Sequence, residues 1–129
     1  MPSRRRVPPA AGRAAVAAWL ADPAGAPAEE VARAVRFTLE ELAARAPGRS
    51  TEVRVPPIGA VQCVAGLTHR RGTPPNVVET DAATWLELAT GVLGWDAAFD
   101  AGRLQVSGTR ADLTAYLPLA GHAHEGSRA

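Results

Sequence analysis

The amino-acid sequence predicts an α+β domain with an antiparallel or mixed sheet, on three observations. Apolar residues recur at helical spacing over 27–46, where Val31, Val35, Leu39 and Leu42 share one face. The pattern then switches to alternation at Glu52-Val53-Arg54-Val55, as in a half-buried strand. Strands and helices follow in blocks rather than strict alternation, which argues against a doubly wound parallel sheet.

Taken in order, residues 1–9 are basic and proline-bearing with nothing periodic to bury, so they are expected to lack structure. Residues 10–120 form the single expected domain, with helices over 10–46 and the sheet with its covering helices over 50–120. A short helix over 10–21 carries Val16, Trp19 and Leu20, and Asp22-Pro23 and Gly25-Ala26-Pro27 stop it. The helix over 27–46 opens with Glu29 and Glu30, where the helix dipole favours anions, and ends at Pro47-Gly48. Strands are expected near 52–56, 60–68, 76–80 and 103–107. Asp81 stands where an N-cap belongs, ahead of a helix over 82–91. In that helix Trp85, Leu88 and Val92 form one face, and Leu86, Ala89 and Leu93 the adjoining one, so it should be buried on most sides. A further helical turn carries Phe99 and ends at Gly102. A last helix over 109–117 presents Leu113, Tyr116 and Leu117, and a flexible polar tail closes the chain over 121–129.

Composition narrows the chemistry. A chain of 129 residues, 47% hydrophobic, suits one core. Lys+Arg at 14 against Asp+Glu at 13 leaves a net charge of +1, which speaks against a broad nucleic-acid surface. Every basic residue is arginine, so Schiff-base, P-loop and general-base lysines are excluded. Cys63 is the only cysteine, which excludes an internal disulfide and a multi-cysteine zinc site; in a strand it reads as a buried, inert thiol. His122 and His124, beside Glu125, read as a solvated tail rather than a metal site. Ser50 and Ser107 lack a nucleophile-elbow context, and no phosphate-binding glycine motif or spaced carboxylate pair occurs. No enzyme activity, cofactor or metal is expected. No apolar run approaches the roughly 20 residues of a membrane span. The N-terminus imitates an export signal poorly, because Pro8, Pro9 and Arg13 interrupt it, so a soluble cytoplasmic protein is expected.

Residues 81–119 begin with an acidic helix start at Asp81, an apolar helix closing on Gly91-Val92-Leu93, and the Ala98-Phe99 turn. The segment Gly102-Arg103-Leu104-Gln105-Val106-Ser107-Gly108 and the stretch from Leu113 to Leu117 follow. In order and spacing these residues resemble the C-terminal half of the sterol carrier protein type-two family. The match is similar to the short actinobacterial branch labelled sterol carrier family protein. The resemblance implies about five strands covered by helices, with an apolar cavity between the layers that holds lipids or fatty acyl groups. Related C-terminal domains of mycothiol-dependent isomerases imply instead that this fold also serves as an accessory module, so the fold does not settle the function.

Two readings follow. In the first, Trp85, Leu88, Val92, Phe99, Leu113 and Leu117 line an apolar slot for a lipid or fatty-acyl ligand, with Trp85 and Leu88 on one side and Phe99, Leu113 and Leu117 opposite. The slot would gain roughly 0.8 kcal/mol per buried methylene. Arg70 and Arg71 would meet an anionic head group or a partner at the mouth. In the second, indole rings fill that space, and the protein is an accessory module whose outer face binds a protein partner or a second copy. A connected cavity above about 300 Å³ favours the first reading, and a filled core the second.

Overall fold

The computed structural model describes residues 5–67, 73–109 and 111–119. Two helices come first, α1 (Pro9–Ala21) and α2 (Ala28–Arg45). Proline suits the start of α1, because the first turn of a helix has no use for its missing N–H. The periodic residues of α2 face inward as expected, with Val35, Leu39 and Leu42 buried and Val31 partly so.

Four strands follow among the described residues: β1 (Thr51–Val55), β2 (Gly59–Cys63), β3 (Asn76–Glu79) and, after two helices, β4 (Gln105–Ser107). Their order is β2-β1-β3-β4, with β1 antiparallel to β2, parallel to β3, and β3 antiparallel to β4. The sheet is therefore mixed, and the α+β reading holds. The fifth strand is not among the described residues. Val53, Val55, Cys63 and Val78 point into the core, while Arg54 and Gln62 face solvent. The two remaining helices are α3 (Ala82–Thr90) and α4 (Trp95–Asp100). Helix α2 packs on α1, β2 and α3, so it is the central post of the helical layer.

The strand expected over 60–68 stops at Cys63, where the chain turns toward the end of α2. Val64 takes φ +66°, an unusual value for a β-branched residue. Three hydrogen bonds hold it there. Val64 N–H donates to Ala46 O (2.6 Å), and the Ser50 N–H and hydroxyl donate to Val64 O at 3.0 and 2.7 Å.

Two further expectations about the fold fail. Residues 5–9 do not lack structure: Arg6 N–H and Val7 N–H donate to the Glu40 carboxylate at 2.9 and 3.2 Å. Arg5 pairs with Glu41 at 2.6 Å, and Val7 is buried in the core. Periodicity could not show this, because a short strap needs only one apolar anchor and two carboxylates. The helix expected over 109–117 is also absent from the described residues there, where 111–119 run in turns. The Asp112 carboxylate accepts from the N–H (2.8 Å) and hydroxyl of Thr114, closing a local turn that competes with a helix. Pro118 then disfavours helical backbone at Leu117. The segment still seals the core, through Ala111, Leu113 and Leu119. Leu119 N–H donates to Ala89 O (3.0 Å), fastening it to α3.

Two glycines take a positive φ where the chain turns, Gly102 at the expected helix end. Gly102 (φ +72°) ends α4, its N–H donating to Phe99 O while Arg103 N–H returns to Ala98 O. Gly108 (φ +96°) lets the chain leave β4 against Asn76, whose Oδ1 would lie 2.3 Å from an added Cβ.

Candidate functional site

Helix α3 organises the interior. Asp81 caps it as expected, its carboxylate accepting from Thr84 N–H at 2.7 Å, and Gly91 (φ +85°) closes it. One turn inside, Trp85 is wholly buried, and its indole N–H donates to Thr38 Oγ1 on α2 at 2.8 Å. The Thr38 hydroxyl in turn lies 2.7 Å from Ala34 O and 3.0 Å from Val35 O. A buried indole without an acceptor would be costly. Here it has one, and the ring becomes a fixed strut between α2 and α3.

Of the expected slot residues, Trp85, Leu88 and Leu113 meet in the buried core, and Leu117 packs against it partly buried. Val92 and Phe99 do not face inward; they are 46% and 54% exposed. The helical register of Val92 with Leu88 is broken because α3 stops at Thr90, one residue before the left-handed Gly91. Phe99 lies on the six-residue α4, which buries Trp95 and Ala98 instead. Arg70 and Arg71 lie outside the described residues.

Two open clefts stand out on the surface, and neither is lined by Trp85, Leu88 or Leu113. One, about 310 Å³, runs between the end of α1 and α3 and is lined by Trp19, Leu20, Pro23, Glu87 and Val92. Val92 is thus the one expected slot residue that borders either cleft. The other, about 640 Å³, lies between the strap at Arg6-Val7-Pro8 and the first turns of α2.

Sequence reasoning also missed a polar tie behind α3. Arg103 donates to Thr84 Oγ1 (3.0 Å) and to Glu87 Oε1 (3.1 Å), while the Thr80 hydroxyl donates to Arg103 O (2.7 Å). The hydrogen bond to Glu87 holds the guanidinium in its charged form. This tie joins α3 to the segment leading into β4, and no apolar periodicity encodes it.

Cys63 is fully buried on β2, and burial pushes its thiol up to about 11. That is the environment of an inert thiol rather than a nucleophile. Among the described residues no group of three or more His, Cys, Asp or Glu side chains is placed to hold a metal ion, and no helix is long and apolar enough to cross a membrane.

Residues 27–119 match the model of a family described as bacterial SCP ortholog, a sterol-carrier-protein-like family. A comparison with curated proteins gives no match.

Proposed function

The chain belongs to the bacterial SCP ortholog family, and from that premise we propose that it is a non-enzymatic accessory or interaction module that acts through its outer surface. One observation carries the reading: Trp85, Leu88 and Leu113, three of the residues expected to line a slot, are packed in the core and each at most 2% exposed. The Trp85–Thr38 hydrogen bond supports it further, since swinging the ring aside would leave a buried donor without its acceptor.

A second reading, a lipid or fatty-acyl carrier, draws on the family itself and on the cleft beside Trp19, Leu20 and Val92. At about 310 Å³ that cleft is just large enough for a short alkyl segment. Thermal unfolding with a sterol and with long-chain fatty-acid methyl esters separates the two, because neither additive carries a charge. A ligand that binds only the folded chain raises the melting temperature by mass action. The accessory-module reading predicts no shift; a saturable rise that grows with chain length would replace it with the carrier reading.

A further inference from the structure

We infer that the cleft between the N-terminal strap and α2 is a binding site for a phosphate monoester group. Three guanidinium-bearing residues from two elements line it: Arg6 on the strap, and Arg33 and Arg36 one turn apart on α2. Its walls also include Val7 and Ala32, and its volume of about 640 Å³ is that of a small-molecule site.

Five of the six described arginines outside the cleft have partners; the exposed Arg13 makes no ion pair with a described residue. Arg5 and Arg45 share Glu41, Arg54 pairs with Glu52, Arg103 with Glu87, and Arg49 donates to Gln62. In the cleft Arg33 pairs with Glu30, whereas the guanidinium groups of Arg6 and Arg36 make no ion pair with any described residue. Arg6 is not carried on a loose end, because its own N–H and that of Val7 are both fastened to Glu40. Two unpaired guanidinium groups therefore border one concavity whose backbone is already fixed.

The first turn of α2 adds to the positive potential. Pro27 supplies no side-chain cap, and the first helical hydrogen bond runs from Val31 N–H to Pro27 O, which leaves the N–H groups of Ala28, Glu29 and Glu30 without a backbone acceptor. Glu29 lines the cleft and Glu30 neutralises Arg33 beside it, so the positive potential there rests on Arg6 and Arg36. Guanidinium forks match the oxygens of a phosphate with paired, charge-assisted hydrogen bonds, and a dianion gains more from this potential than a single carboxylate does.

The site lies outside the packed interior, so its test is independent of whether the interior holds a ligand. Amide chemical shifts of the full chain at low salt would be followed during titration with inorganic phosphate, with chloride at matched ionic strength as the blank. A parallel arm uses phosphatidylcholine vesicles with and without phosphatidic acid, read by co-sedimentation. Saturable shifts at Val7 and over 28–36 are expected, with affinity about tenfold weaker in the Arg6→Gln/Arg36→Gln double variant. Both substituted side chains are exposed, so the variant keeps its fold. Binding of free phosphate assigns the site to a small phosphorylated molecule. A response only to phosphatidic acid, lost in the double variant, assigns the same site to a lipid head group. Absence of any saturable response in both arms, or equal binding by the double variant, overturns the inference.

Discussion

Replacing Trp85 by Phe probes the strut between α2 and α3 directly. The substitution removes the indole N–H that donates to Thr38 Oγ1 at 2.8 Å, a buried hydrogen bond worth about 1 kcal/mol net. It also leaves a void where the second ring stood, and a partly collapsed void of that kind costs about 1 kcal/mol more. The sum is about 2 kcal/mol. At an unfolding entropy of about 2.1 cal/mol/K per residue, a chain of 129 residues should lose about 7 °C in Tm. Thr38→Val attacks the same bond from the other side and strands the indole N–H, at a cost of about 1–3 kcal/mol. Because both changes break one bond, the double variant should lose about 1 kcal/mol less than the two single losses added together. Equilibrium urea unfolding with an unchanged slope is the assay. A Trp85→Phe loss below about 0.5 kcal/mol, or strict additivity in the double variant, would refute the strut and with it the claim of a filled interior.

Four further outcomes are expected. Cys63 should react slowly with a bulky thiol reagent in the native protein and fast once unfolded; rapid native labelling would contradict its burial. Because burial raises its thiol from 9.0 to about 11, the folded chain keeps a proton that the unfolded chain loses. Stability should therefore fall as pH climbs from 9.0 toward 11, a decline that Cys63→Ala should flatten. Around Glu41, burial raises the carboxyl, but the hydrogen bonds and charges of Arg5 and then Arg45 outweigh it and hold the group below the usual carboxylate range. That contribution is present above the unfolded carboxylate's pKa and is lost as pH falls through the lower folded value, so Glu41→Gln should blunt the acid limb of the stability curve. Asp81→Ala should cost about 1 kcal/mol in urea unfolding through the lost N-cap, and a neutral result would remove the cap from the account.

Much of the fold was legible because it obeys periodicity. Helix α2 follows from the spacing of Val31, Val35, Leu39 and Leu42, and β1 from the alternation around Val53 and Val55, since each places a continuous apolar face on one side. The misreadings are places where spacing and backbone chemistry disagree. Leu113 and Leu117 lie four apart as on a helix, yet the Asp112–Thr114 turn and Pro118 take the backbone elsewhere. Val92 continues the face of Trp85 and Leu88 in sequence, but Gly91 ends the helix beneath it. The strap and the Arg103 tie join residues far apart in the chain; Arg6 and Glu40 are 34 residues apart, and no local pattern links them. Of the expected slot, the buried half was readable as apolar, but whether indole fills the space or borders it depends on a hydrogen bond between two helices.

Native mass spectrometry of the protein purified from its own host, paired with organic extraction of the same sample, tests the filled interior most directly. The account predicts the mass of the polypeptide alone, 13.4 kDa, and an extract without stoichiometric lipid. A one-to-one adduct that moves into the organic phase as a sterol or fatty-acyl compound would contradict it.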